Sequence, residues 1–256
     1  MRVKILGCSG GIGGNLRTTS MLVDEDILID AGTGVGDLSM EELIKIDHIL
    51  ITHSHLDHIA FIPLLIDTVM GFREEPITVH ASKETLATLR NHIFNWKVWP
   101  DFSMIPDVTR PFLKYNQIEL GETLEFNGRK FTSVPANHVV SAVGYHVEGK
   151  QHSLIFTGDT TICEELWPVV NGISNLKYLI IETAFSNGEM ELARLSKHLC
   201  PSMLISELGK LKSANGIQVF ITHLKPGEGD TIMQEIADCN LFLPIKALEG
   251  HQVFDL

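Results

Sequence analysis

The densest chemistry in the sequence is the run His53-Ser54-His55-Leu56-Asp57-His58, which follows the apolar stretch His48-Ile49-Leu50-Ile51-Thr52. That stretch has the length and composition of a buried strand. At a strand end, residues two apart project to the same side, so His53 and His55 can grip one metal ion. The chain must then turn into residues 59–70, an apolar segment with helical spacing. That turn can bring Asp57 and His58 around to a second ion. Imidazole nitrogen and carboxylate oxygen suit zinc first, and manganese and iron share these ligand types.

Further candidates stand at other strand ends. His138 closes Val134-Pro135-Ala136-Asn137-His138, Asp159 closes Phe156-Thr157-Gly158-Asp159, and His223 closes Val219-Phe220-Ile221-Thr222-His223. Alone, Asp159 serves equally well as a turn aspartate, and either histidine as a core residue bonded to backbone. Beside the cluster they gain weight, because two ions need a bridging carboxylate and further imidazoles. Glu182 ends the apolar run Tyr178-Leu179-Ile180-Ile181, and His198 falls on the next expected helix.

These residues need elements to carry them. Residues 3–6 predict a strand, and 21–23 and 27–29 a hairpin about Asp24-Glu25-Asp26. Helices are expected at 41–46, 59–70 and 83–94, with strands at 48–52 and 77–80. The stretches 112–134 and 142–156, punctuated by Asn127-Gly128-Arg129 and Glu148-Gly149-Lys150, predict antiparallel meanders. Strands at 154–157, 178–181 and 219–222 alternate with helices at 163–170, 189–211 (with breaks) and 230–238. Strands in both halves with helices between them imply an α/β fold of sheets covered by helices. The two β-rich halves each donate candidate ligands from strand ends. No low-complexity block or charge run divides them, so residues 1–256 are expected to form a single domain.

The chain has 256 residues, 44% of them hydrophobic, with 20 basic against 32 acidic side chains and a formal net charge of −12. That balance repels polyanions such as tRNA, which makes nucleic acid a poor partner and a small-molecule substrate the better one. The four cysteines, at 8, 163, 200 and 239, form no Cys-x-x-Cys pair and are expected to be reduced. The longest apolar stretch, 59–72, contains Pro63 and Asp67 and is shorter than the roughly 20 residues of a membrane span. With no signal-like start, a cytoplasmic protein without a membrane partner is expected. Gly10-Gly11-Ile12-Gly13-Gly14 lacks the Gly-Lys-Ser/Thr ending of a phosphate loop and fits a turn that lets backbone approach the site. Residues 95–102, with Trp96 and Trp99, are open to three roles: a pocket wall, core, or the contact of a homodimer. Lys225, two past His223, either meets phosphate or lies in solvent.

The order His-x-His-x-Asp-His, then His, Asp and His, resembles that of metallo-β-lactamase-fold hydrolases. The run 53–59 is similar to the signature of class II 3′,5′-cyclic-nucleotide phosphodiesterases, with Leu56 before the Asp. Gly7 to Ser20, including Asn15-Leu16-Arg17-Thr18-Thr19-Ser20, resembles the opening of that class and of ribonuclease Z. Glu182-Thr183-Ala184-Phe185 and Thr222-His223-Leu224-Lys225-Pro226 also match the phosphodiesterase pattern. The chain departs from it at Ala60-Phe61-Ile62-Pro63-Leu64-Leu65, where the class II signature has small residues and a serine. The resemblance implies an αββα sandwich of two mixed β-sheets flanked by helices. It places His53, His55 and His138 on one metal, Asp57, His58 and His223 on the other, and Asp159 between them. It also implies catalytic roles for Asp57, Glu182 and His198. As in ribonuclease Z, His198 would be the general acid and Glu182 the carboxylate that orients it.

Two divalent ions bring four positive charges, and Asp57, Asp159 and a bridging hydroxide remove three. The site then keeps about one positive charge, which suits an anionic phosphodiester better than a neutral amide. The expected reaction is hydrolysis of 3′,5′-cyclic nucleotides, cAMP or cGMP, to 5′-nucleotides. The alternatives are a ribonuclease Z-like tRNA 3′-endonuclease and another hydrolase of the fold acting on a thioester or lactone.

Overall fold

Alternation of side chains along the strands sets the layers. The computed structural model describes residues 1–213, 216–239, 241 and 243–256. The first half of the chain forms strands β1 (Arg2–Gly7), β2 (Ser20–Val23), β3 (Ile27–Ala31), β4 (His48–Leu50), β5 (Ile77–Ala81) and β6 (Leu113–Gln117). Helices α1 (Met40–Leu43), α2 (Leu56–Ile59), α3 (Phe61–Val69) and α4 (Lys83–Thr88) lie among them. The second half forms β7 (Thr123–Phe126), β8 (Arg129–Pro135), β9 (Val143–Glu148), β10 (Ser153–Phe156), β11 (Leu176–Glu182), β12 (Gln218–Thr222), β13 (Ile245–Ala247) and β14 (Val253–Asp255). Its helices are α5 (Leu166–Val170), α6 (Met190–Ser196), α7 (Pro201–Leu208) and α8 (Gly229–Asp238).

Among the described residues the strands make two seven-stranded sheets, β14-β1-β2-β3-β4-β5-β6 and β13-β12-β11-β10-β9-β8-β7. Both are mixed: β3 to β6 and β10 to β13 run parallel, while the hairpin strands pair antiparallel. Ile27, Ile29 and Leu50 point inward against Tyr145, Val147, Leu154 and Phe156 of the other sheet. Leu28, Ile49 and Val79 point outward and pack with Ile62, Leu65 and Ile66 of α3. Leu179, Ile181, Val219 and Ile221 do the same on the far side with Leu166, Leu204 and Ile232. The result is the αββα sandwich, with one core between the sheets and one beneath each helical layer. Each fully buried side chain of this kind stabilises the fold by about 1.5–3 kcal/mol.

Local signals set the helix starts. Ser39 and Glu42 form a capping box on α1, Ser82 caps α4 through Thr85 N, and Pro201 begins α7. Several expected elements are shorter or divided. The expected helix at 59–70 is α2 plus α3, so Asp57 and His58 already sit in a helical turn. The expected helix at 83–94 is α4 followed by a wide turn at Leu89–Ile93. The expected meander at 112–134 requires correction. β6 pairs parallel with β5 in the first sheet, and the chain crosses to the second sheet before β7. Leu113 is buried in the core under the first helical layer while Ile118 enters the core between the sheets, so the crossing buries both.

The cysteines are free thiols. Among the described residues, no helix is long and apolar enough to cross a membrane. In the aromatic segment, Phe94 and Phe102 are buried and Trp99 packs on the same core, whereas Trp96 is exposed. Two contacts fix the end of β4 against the second sheet: Tyr145 donates its hydroxyl to Ile51 O at 3.0 Å, and Val143 N donates to Thr52 O at 3.0 Å.

Candidate metal centre

The parallel strands of both sheets end on one side of the sandwich, and the chemistry gathers there. His53 and His55 leave β4, Asp57 and His58 open α2, His138 follows β8, Asp159 follows β10, and His223 follows β12. Two groups form. His53, His55, His138 and Asp159 present donor atoms within 4.8 Å of one another, and so do Asp57, His58, Asp159 and His223. Asp159 belongs to both. Its Oδ2 lies 3.4 Å from His58 Nε2 and 3.7 Å from His53 Nε2, and its Oδ1 3.2 Å from His223 Nδ1. Asp57 Oδ2 lies 3.8 Å from both His58 Nε2 and His223 Nε2. Donors each about 2.0–2.2 Å from one zinc stand ~3–4 Å apart.

Hydrogen bonds behind the rings orient them. Asp30, fully buried on β3, lies beside β4 because Ile29 pairs with Leu50. It accepts Thr52 N at 2.8 Å, Thr52 Oγ1 at 2.8 Å and His58 Nδ1 at 2.7 Å. With its proton committed to Asp30, Thr52 Oγ1 accepts from His53 Nδ1 at 3.0 Å. His138 Nδ1 donates to Lys197 O at 3.0 Å. These bonds leave Nε2 of His53, His58 and His138 as the inward-facing lone pairs. The buried His53 Nε2, His58 Nε2 and His223 Nδ1 have no hydrogen-bond partner among the described residues. An unpartnered buried polar atom costs roughly 1–3 kcal/mol, and three around one carboxylate fit a site built for ions.

Electrostatics agree with this placement. Burial, then the neighbouring His58, hold the His53 imidazole well below its usual range, so it is neutral. Burial brings His138 down to about 4. For His58, burial is outweighed by Asp159 and Asp30, which raise it well above its usual range; a bound cation at Nε2 would take that proton's place. Burial pushes against the Asp159 carboxylate, but His223 and His58 win and hold it well below the usual range.

A second pair adjoins the cluster. Glu182, fully buried at the end of β11, meets His198 Nδ1 at 2.7 Å and accepts Thr160 N at 3.0 Å and Leu199 N at 3.3 Å. The His198 ring stacks on His223 at 5.1 Å and tilts against His138 at 4.9 Å. Burial alone would lower the His198 imidazole; the Glu182 carboxylate outweighs it and raises it above its usual range.

The seven ligand candidates, Glu182 and His198 therefore meet at one place, with His198 in the break between α6 and α7 rather than on the expected helix. Sequence reasoning missed Asp30 and Thr52. Asp30 stands in the series of acidic residues at strand ends that includes Asp159 and Glu182, and that series was the available signal. Gly10 also falls into place: a Cβ there would stand 2.5 Å from His223 O, so only glycine lets this loop close on the site. His223 itself takes a left-handed φ of 62°, which turns its ring out of β12 and into the cluster. A cavity of about 590 Å³ lies beside the His138 loop, lined by Ser82, Gln117, Asn137 and Ser141 among others.

The chain aligns over 205 residues, at 27% identity, with a probable 3′,5′-cyclic-nucleotide phosphodiesterase of Yersinia pestis, covering 71% of this chain and 58% of that protein. It aligns over 153 residues, at 29% identity, with a ribonuclease Z of Haloarcula marismortui, covering 57% of this chain and 46% of that protein. The chain thus matches less than two thirds of the length of either relative. The solved structure of unliganded yeast PDE1 has the same fold, with a TM-score of 0.82 over 100% of this chain and 99% of that one at 21% identity. Residues 25–235 match the beta-lactamase superfamily domain. The chain belongs to that family, as a hydrolase of metallo-β-lactamase fold whose His/Asp clusters could hold the divalent ions the fold implies.

Proposed function

We propose that this hydrolase cleaves phosphodiesters, and 3′,5′-cyclic nucleotides (cAMP or cGMP) to 5′-nucleotides in particular. We assign His53, His55 and His138 to one ion, Asp57, His58 and His223 to the other, and Asp159 to both. Zinc fits the donor set first, with manganese and iron as alternatives. When bound, two such ions make water nucleophilic at neutral pH and offset the charge of the phosphoryl group. The protein's own side chains do the rest. Asp30 and Thr52 hold His53 and His58 in the tautomer that offers Nε2. Asp57, half-buried, is the site carboxylate nearest solvent and orients the attacking water. His198 gives a proton from Nε2 to the departing sugar oxygen, while Glu182 holds Nδ1.

The observation that carries this reading is the His198–Glu182 pair, 2.7 Å apart and stacked against His223. A sugar alkoxide needs a proton to leave, whereas a thiolate does not. The longer alignment with the cyclic-nucleotide phosphodiesterase relative and the net charge of −12 support a small substrate. A second reading, RNA cleavage in the manner of ribonuclease Z, is favoured by the Haloarcula relative, so charge alone does not exclude nucleic acid. Metal-loaded protein assayed on cAMP, cGMP and pre-tRNA separates the two. The proposal expects turnover of a cyclic nucleotide to exceed pre-tRNA cleavage by orders of magnitude. Efficient pre-tRNA cleavage with cyclic nucleotides untouched would overturn it.

A further inference from the structure

Lys225 stands two residues beyond His223, half-buried, with its Nζ 3.5 Å from His223 Nε2. The ammonium donates to Gly10 O at 2.8 Å, and a Cβ on Gly10 would come within 3.1 Å of Lys225 Cδ. The glycine loop therefore clasps the lysine stem and holds its head at the edge of the cluster. Among the described residues no carboxylate pairs with this ammonium. A fixed cation beside a centre built for two more cations is repelled by them, so its position is productive only when an anion joins them. Of its three N–H donors, Gly10 O takes one and His223 Nε2 is within reach of a second, which leaves one for a ligand.

We propose that Lys225 is a substrate-binding residue, whose ammonium takes a nonbridging oxygen of the phosphoryl group on the His223 side of the centre. This rests on the phosphodiesterase reading and adds a discriminator to it. Lys225 selects anionic substrates over neutral esters and raises affinity for phosphate released or added as product. A purely structural lysine, tethering the Gly10 loop, would show no such selectivity.

The test uses the metal-loaded full chain with Lys225→Met and Lys225→Arg. Metal content is measured first. Inorganic phosphate binding is then followed by titration calorimetry, and kcat and KM are compared for bis-p-nitrophenyl phosphate and neutral p-nitrophenyl acetate. Lys225→Met should keep its metal and weaken phosphate binding about 10- to 100-fold, the size of one charge-assisted hydrogen bond. KM for the diester should rise by a similar factor, kcat/KM for the acetate should change no more than a few-fold, and Lys225→Arg should recover most of the loss. Phosphate affinity equal to wild type in Lys225→Met would overturn the proposal. So would a parallel loss of metal and of both activities, which would make the lysine a tether. If wild-type protein turns over no diester, the phosphodiesterase reading fails, and the phosphate titration still decides the role of the lysine.

Discussion

Replacing Asp30 by Asn should loosen the metal centre without removing a ligand. The carboxylate is fully buried and receives three hydrogen bonds, from Thr52 N, Thr52 Oγ1 and His58 Nδ1. Asparagine keeps the shape but offers one acceptor oxygen, and its NH₂ must face a donor. The lost charge-assisted bond to His58 is worth about 1.5–3 kcal/mol. Transmitted to the ion at His58, that is roughly a 10- to 100-fold loss of metal affinity, the range typical of a partner behind a ligand histidine. Asp30→Ala is less informative. It strands three buried donors at ~1–3 kcal/mol each, a sum comparable with the whole stability of a domain. The assay is a competitive chelator titration of zinc-loaded Asp30→Asn, with turnover measured at saturating metal. Wild-type affinity for both ions in this variant would refute the claim that Asp30 sets the His58 tautomer.

Two further outcomes are expected. His198→Ala should keep its metal, lose about 10²–10⁴-fold in kcat on a cyclic nucleotide, and lose far less on a p-nitrophenyl diester, whose leaving group needs little protonation. Equal losses on both substrates would exclude His198 as the proton donor. Away from the site, Arg129 grips Asp26 through both terminal guanidinium nitrogens at 2.5 and 2.6 Å, which outweighs partial burial and holds the carboxyl below its usual range. A depressed folded-state carboxyl stabilises the protein above its unfolded pKa of about 4 and loses that contribution as pH falls through the folded value. The stability gap between wild type and Asp26→Asn in urea titrations should therefore be full at pH 6 and shrink below pH 4. A gap independent of pH would contradict the pairing.

Much of the candidate site was legible because a metal centre would constrain residue type and spacing together. His53 to His58 combine a strand end with a turn, and that pattern has few other uses. His138, Asp159 and His223 were visible as polar residues closing apolar runs, although their convergence depends on the two sheets being packed face to face. Asp30 was legible as an acidic residue at a strand end but not as the partner of Thr52 and His58. Its neighbour Thr52 is 22 residues away, and only the parallel register of β3 with β4 brings the two together. Lys197 O, which fixes the His138 ring, escapes any residue-type argument because its contribution is a backbone carbonyl. The transfer of β6 to the first sheet was hidden for a similar reason. The period-2 pattern of residues 112–134 reports which faces are buried but not which sheet a strand joins.

Asp159 is proposed to couple two ions into a single hydrolytic centre. Elemental analysis of zinc-reconstituted protein beside Asp159→Ala, with cAMP turnover measured on the same samples, tests it most directly. Active wild type should hold two ions per chain, the variant at most one, with nearly complete loss of turnover. Fully active wild type holding a single tight ion, with no second site on titration, would contradict it.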